Sequence, residues 1–361
     1  MDPRIREHAQ IIVDHSVDLE SGDRVVIQLP PEAEDLAVAL YELCGERGAA
    51  PAWLAYSERA SRAFLLAAGE TYDTPENQLA FYEETNVFVI ARGGANVTET
   101  SDVAPANTAA YKRAFKPVQE ERLSKRWCLT QVPTSGHAQL AGMSTEAYEN
   151  FVYDAVSLDW AAQREFQADM VELLDPADEV RIVAGEETDL TLSVAGNTTL
   201  NDYGEKNLPG GEVFTAPVAD SAEGTVHFDL PLYRQGREIE DVRLTFADGV
   251  VVDHSAGRNE ALLTEILETD DGARRLGELG IGMNRAIDQF TYNMLFDEKM
   301  GETVHLAVGS AYPETVGEDN TANESAEHVD MIVEMSENAR LELDGEVVQR
   351  NGTFVFEDDF E

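Results

Sequence analysis

The sequence predicts an α/β N-terminal domain with a mainly parallel sheet, followed by an α+β C-terminal domain. Two patterns carry that expectation. Through Leu174, apolar strand-like runs alternate with helical periods, the order that builds a parallel sheet covered by helices. From Glu179 onward short strand-like runs dominate, and the Asp248-Gly249 pair between two of them is a hairpin signal.

In chain order, Asp23–Leu29 is a first strand that ends at Pro30, and a helical period from Glu34 through Cys44 stops near Gly48. Pro51–Tyr56 reads as the next strand and Ser61–Ala68 as a helix. Asn86–Ala91 is a third strand, Thr108–Arg126 a helix interrupted at Pro117, and Trp127–Val132 a fourth strand. The turn Arg92-Gly93-Gly94-Ala95-Asn96-Val97-Thr98 has neither the three-glycine dinucleotide fingerprint nor a phosphate-loop lysine, which argues against a nucleotide site. Two further helices span Ser144–Val156 and Asp159–Leu174. The polar break Asp175-Pro176-Ala177-Asp178 divides the chain into domains of residues 1–176 and 177–361. The second half then offers strands at Val180–Val183, Leu190–Val194, Gly224–Phe228, Val242–Phe246 and Val250–Val252. A helix over Asn259–Leu276 interrupts them, and strands at Val304–Val308 and His328–Val333 follow.

Charge is the other strong signal. With 70 Asp plus Glu against 26 Lys plus Arg, the formal net charge is -44, and lysine occurs only at Lys112, Lys116, Lys125, Lys206 and Lys299. Such a surface repels itself at low salt, whereas at molar salt the Debye length falls to about 3 Å and the repulsion is screened. Hence the expectation of a halophilic protein that needs salt to stay folded. The same charge excludes nucleic acid and anionic membrane as partners. A hydrophobic fraction of 43% supports folded cores over disorder. Cys44 and Cys128 lie in apolar segments, as reduced buried thiols do, and no stretch approaches the roughly 20 apolar residues of a membrane span. The N-terminus is charged from the start with no signal-like run, which points to a cytoplasmic protein.

The chemistry concentrates in the second half. Of seven histidines, His305 and His328 fall in strand-like runs, and Asp330 follows His328 by two. Alternate strand residues face one side, so His328 and Asp330 project together, their Cα atoms roughly 6.6 Å apart. An imidazole and a carboxylate on one face can grip a metal ion, although core and solvated positions explain them as well. Glu212, after Gly210-Gly211 and before an apolar run, and Glu278, flanked by Gly277 and Gly280, are carboxylates in apolar settings. Together these residues form a set suited to divalent transition metals, with no short zinc motif among them.

The runs Asn207–Pro217, Leu276–Glu278, Leu295–Lys299, Val304–Tyr312 and Asn323–Met331 closely resemble the aminopeptidase T family of thermophilic metalloaminopeptidases, in matching order and over most of the chain. The resemblance implies a catalytic C-terminal domain, a homodimer, peptide substrates and two adjacent divalent metal ions (Zn, Co or Mn). It carries metal-ligand roles to Glu212, Glu278, His305, His328 and Asp330. Glu298 matches as a ligand or proton shuttle and also fits a solvated acid on a polar turn. Tyr312 matches a tyrosine that follows the His305 strand, a donor to the tetrahedral oxyanion or a core side chain. The expected reaction is removal of N-terminal residues from peptides by a metal-bridged hydroxide, with Glu278, Glu298 and Tyr312 in catalytic roles. A metal-dependent dipeptidase or amidohydrolase on the same fold, and a non-catalytic binding protein, are the alternatives.

Overall fold

A computed structural model describes residues 1–234 and 236–360. The chain forms two compact units: residues 1–158 with 204–209, and residues 159–203 with 210 onward. The polar break at Asp175–Asp178, where the sequence reading divides the chain, lies between the Trp160–Leu174 helix and the Glu179–Ala184 strand.

The first unit is a five-stranded sheet, all parallel, in the order Ala50–Ala55, Arg24–Leu29, Val87–Arg92, Arg126–Gln131, Asn207–Leu208. Arg24–Leu29 and Val87–Arg92 are buried on both faces, as continuous apolar runs in a helix-covered parallel sheet must be. The helices have local reasons to start and stop. Ser57 caps Glu58–Ala68 and Ser144 caps Thr145–Val156, each hydroxyl accepting a backbone N–H of the first turn. Glu34–Arg47 ends at Gly48, whose φ of 74° a side chain would resist. Helices at Pro3–Ile11, Glu76–Glu83 and Ser135–Leu140 add to those read from sequence, and Pro105–Leu123 runs through Pro117 without a break. Cys44 and Cys128 are buried and form no disulfide.

The second unit packs two antiparallel sheets on one core. An eight-stranded sheet contributes Val226, Phe228, Leu244 and Phe246, and a five-stranded sheet contributes Leu279, Ile281, Leu306, Val308 and Met331. The five strands run in the order His328–Glu334, Thr303–Gly309, Leu276–Gly282, Glu212–Thr215, Leu200–Asp202. The helix expected over Asn259–Leu276 ends early: Glu260–Leu267 is helical, Gly272–Arg274 is a 3₁₀ turn, and Leu276–Gly282 is a fully buried strand. That strand holds three glycines, so its composition does not advertise it, and its pairing on both sides makes it one.

The Trp160–Leu174 helix starts at Asp159, whose Oδ1 accepts the backbone N–H of Ala161 and Ala162. It belongs to this unit through Gln167, which is fully buried. The Gln167 amide nitrogen donates to the Glu212 carbonyl at 2.9 Å, the Asp202 carbonyl at 3.0 Å and Asn201 Oδ1 at 2.7 Å. One side chain thus ties two strand ends beneath the Glu212 backbone. Gln167→Leu removes the amide donor from these acceptors, the buried Glu212 carbonyl among them, while the Asp202 carbonyl keeps the Gly211 N–H, so the denaturant midpoint should fall by the equivalent of about 1–3 kcal/mol. An unchanged midpoint would show that the amide carries no such load. Among the described residues, no helix is long and apolar enough to cross a membrane.

Candidate metal centre

Strand alternation decides which side chains meet. In the five-stranded sheet Val213, Leu279, Ile281, Leu306, Val308 and Met331 turn to the core, so the intervening residues share the opposite face. Register then aligns them in rows. Glu278 lies opposite Ala307, and Ala307 opposite Asp330; Phe214 pairs Gly280, and Gly280 pairs His305; Glu212 pairs Gly282. A bulge between Leu276 and Glu278 sets that register. Small residues stand opposite the large polar ones for a steric reason: a Cβ at position 280 would overlap the His305 imidazole.

Glu212, Glu278 and His305 bring one ligand atom each within 4.8 Å of one another, and so do Glu278, His328 and Asp330. Glu278 belongs to both groups. Glu212 and Glu278 are 4% and 5% exposed and His305 not at all, so these charges sit out of water. His305 Nε2 is 3.3 Å from both Glu212 Oε2 and Glu278 Oε1. His328 Nε2 is 3.5 Å from Glu278 Oε2 and from Asp330 Oδ1. The other nitrogen of His328, Nδ1, donates to the Ser310 carbonyl at 2.8 Å, which fixes the ring and leaves Nε2 for the site, the usual arrangement of a ligating histidine. Glu212 Oε2 and Glu278 Oε2 are buried and accept no hydrogen bond. Buried acceptors without donors, converging with two imidazoles, fit a divalent cation by charge and by donor type.

The sequence reading treats Lys299 as part of a polar turn; the structure buries it completely. Its ammonium is 3.0 Å from Glu212 Oε1, touches Glu298, and lies 3.9 Å from Asp202 Oδ2. Glu298 itself stands outside both three-residue groups, joined to Glu212 through Lys299. The turn around it is anchored by Asp297, which is also buried and accepts from the Thr291 hydroxyl and the Thr291 and Asn293 backbone. Lys299 had one sequence signal, being one of five lysines in an acid-rich chain, and Asp202 and Ser310 had none.

Tyr312 packs edge-on to Phe214, ring centres 6.1 Å apart, and tilts over His328 at 5.0 Å. The residue is 46% exposed, so one side borders the site and the other solvent. Burial of the hydroxyl end and the charges of Glu278 and Asp330 raise its pKa, which keeps the O–H a donor.

Electrostatics without a cation show strain of a definite sign. Burial pushes Glu212 up to about 8, with Glu298 adding and Lys299 and His305 opposing. Burial and Asp330 raise Glu278 against the pull of His305. For the imidazoles burial works downward, but the Glu278 hydrogen bond with Glu212 lifts His305 to about 9, and Asp330 with Glu278 lifts His328 to about 10. Burial would raise Asp330, yet its contact with His328 leaves it lowered. The imidazolium protons thus occupy the place a metal cation would take.

Comparison with known proteins follows this geometry. A sequence model of the thermophilic metalloprotease (M29) family matches residues 1–354. Aminopeptidase AmpS of Bacillus subtilis is 27% identical, with 98% of each chain covered, and aminopeptidase T of Thermus aquaticus is 28% identical, with 93% of each covered. The structure of wild-type AmpT from Thermus thermophilus superposes with a TM-score of 0.87 at 25% identity, covering 98% of this chain and 99% of that one. A 2,5-dihydroxypyridine dioxygenase of Pseudomonas putida, at TM-score 0.64 and 13% identity with 99% of each chain covered, shares the fold. On the match over residues 1–354, the chain belongs to the thermophilic metalloprotease (M29) family.

Proposed function

We propose that this protein is a metal-dependent aminopeptidase that removes N-terminal residues from peptides, and that Glu212, Glu278, His305, His328 and Asp330 hold two divalent cations. The observation that carries the reading is Glu278, buried and shared by two overlapping ligand groups on one sheet face. Charge supports the number. Asp202, Glu212, Glu278, Glu298 and Asp330 bring five carboxylates, Lys299 returns one positive charge, and two divalent ions offset the remaining four. Zinc, cobalt and manganese all suit the ligand mix.

Such ions polarise the peptide carbonyl and supply an activated water near neutral pH. The chain's own groups do the rest. The Tyr312 hydroxyl, kept protonated, donates to the oxyanion of the tetrahedral species. Glu298, partly exposed beside Lys299, carries a proton from the attacking water to the leaving amine. Lys299 holds one oxygen of Glu212 and turns the other to the site.

Glu278→Gln and His328→Ala test the assignment by metal analysis and hydrolysis of aminoacyl amides in molar salt. Wild type should hold two divalent ions per chain and each variant fewer. Turnover should drop by more than the roughly 10–100-fold that changes outside the ligand sphere cost. Normal metal content and turnover in both variants would remove these residues from the site.

Metal uptake must displace protons. With His305 and His328 protonated up to about 9 and 10 and Glu212 up to about 8, binding at pH 7 should release about two to three protons per chain, read by calorimetry in buffers of different protonation enthalpy. The sign for stability follows from the raised values. The metal-free fold gains most below the unfolded histidine pKa of about 6.5 and loses that gain as pH climbs through 9 to 10, while metal affinity rises over the same window. Proton-neutral binding at pH 7 would contradict this protonation pattern.

The charge of -44 supports a halophilic protein, because surface acids repel within a chain until salt screens them, and the homodimer that the family resemblance implies would need the same screening between copies. Thermal melts should rise from dilute buffer to molar potassium chloride, and sedimentation in that salt should give the mass of two chains. An equal melt in dilute buffer, or a monomer in molar salt, would overturn the corresponding part.

A further inference from the structure

The first unit carries a groove whose charged lining is opposite in sign to the acid-rich centre of the second. One face of its parallel sheet is apolar where the Glu76–Glu83 and Pro105–Leu123 helices cover it, through Val26, Phe88, Ile90 and Trp127. Register places Gln28 beside Ile90 and Ile90 beside Leu129, and alternation puts Arg92 on the same face as Ile90. Here the helix cover is incomplete. A groove of about 280 Å³ opens, lined by Gln28, Tyr56, Ile90, Arg92, Leu129 and Trp127 from the sheet side and by Arg122 and Leu123 from the helix end.

Two arginines and no carboxylate-bearing residue line this groove. In a chain of 70 acids that is the reverse of what chance placement gives. Several arginines elsewhere in the same unit are matched to carboxylates: Arg62 with Asp102, Arg126 with Asp23, Arg24 with Glu84. Arg122 Nε, by contrast, is buried and donates no hydrogen bond. Burial and the facing charge of Arg92 both hold the Arg122 pKa below its ordinary value, a cost that no carboxylate offsets. A planar fork of N–H donors beside an indole and a phenol matches an oxyanion carried on a flat or apolar body.

We propose that this groove binds a small organic anion, its phosphate or carboxylate group held between Arg92 and Arg122 and its body lying against Trp127 and Tyr56. Every residue lining the groove belongs to the first unit, and every residue of the candidate metal centre to the second. Gln28 supplies an amide for a further oxygen, and the groove volume limits the ligand to a few heavy atoms beyond the anion.

The test uses the full chain at constant ionic strength, with phenyl phosphate and benzoate as probes, read by calorimetry and tryptophan fluorescence. Wild type should bind one of them and change its emission, and the tighter probe tells phosphate from carboxylate. Arg92→Gln and Arg122→Gln should each weaken binding about tenfold or more, the range of a charged hydrogen bond. Trp127→Phe should abolish the emission change, and Glu278→Gln should bind as wild type does, which separates the groove from anion capture at the metals. Arg92 is exposed, so its variant keeps the proposal testable should Arg122→Gln fail to fold. No binding of either probe at about 10 mM, a concentration that reveals even millimolar affinity, would overturn the proposal. So would equal binding by Arg92→Gln. A wild type silent to both probes whose sedimentation changes on Arg92→Gln would place the acidic surface of a second copy there instead, which also overturns it.

Discussion

Glu212 and Lys299 are both out of water, and neither is tolerable there alone. Removing one ion from water costs several kcal/mol even after relaxation, and that is recovered only with a partner in good geometry. Lys299 Nζ meets this at 3.0 Å from Glu212 Oε1, and its remaining donors face Glu298 and Asp202. The consequence is directional. With Oε1 engaged, Glu212 can present only Oε2 to His305. The ammonium therefore shapes the acid cluster before any cation enters, and three carboxylates that would repel one another are held around a single charge.

The sheet supplies the other half of the constraint. Glu212, Glu278, His305, His328 and Asp330 come from four strands, and only one register places them together. Since side chains alternate, a one-residue slip would send the imidazoles into the apolar core and Leu306 or Met331 to the metal face. The core thus enforces the site: burying Leu279, Ile281, Leu306, Val308 and Met331 against the second sheet fixes which residues point away. Gly280 and Gly282 weaken the Leu276–Gly282 strand, which has little side-chain packing of its own on that face. Placement between two paired neighbours compensates, and the space gained admits the His305 ring.

Much of this was legible in the sequence where the signal was local. The parallel strands of the first unit read as apolar runs, and the two-residue spacing of His328 and Asp330 put them on one face without knowledge of the fold. Glu212 and Glu278 stood out because glycines and apolar residues flank them, although composition could not say whether Glu278 lay on a turn or a strand. The Leu276–Gly282 strand was hidden for that reason, and the reading extended a helix up to its first residue. Lys299 was hidden by its neighbours: Asp297, Glu298 and Lys299 in succession look like a solvated turn. The Asp297 anchor is local, its carboxylate accepting from Thr291 and Asn293, but what buries Lys299 is tertiary, the ammonium facing strands far away in sequence. No window of sequence contains both partners.

The acidic residues of this chain thus fall into two populations with different physics. Pairs such as Lys116–Glu120 and Arg24–Glu84 are exposed, contribute little each, and are screened within about 3 Å at molar salt. Repulsion among the exposed acids is likewise screened when salt is present. The carboxylates around Lys299 and the two imidazoles are screened far less, because salt does not enter a space from which water is excluded. Their repulsion must be answered by fixed charge, supplied by Lys299 and, in the proposed metal-bound form, by divalent cations. A protein can then carry a heavily acidic surface suited to salt and still keep a charged centre whose geometry does not depend on salt. Separating the two requires burying the centre; burial raises Glu212 and Glu278, while the facing carboxylates keep His305 and His328 protonated in the absence of metal. On the proposed reading, dependence on a bound cation is therefore the cost of independence from the dissolved ones.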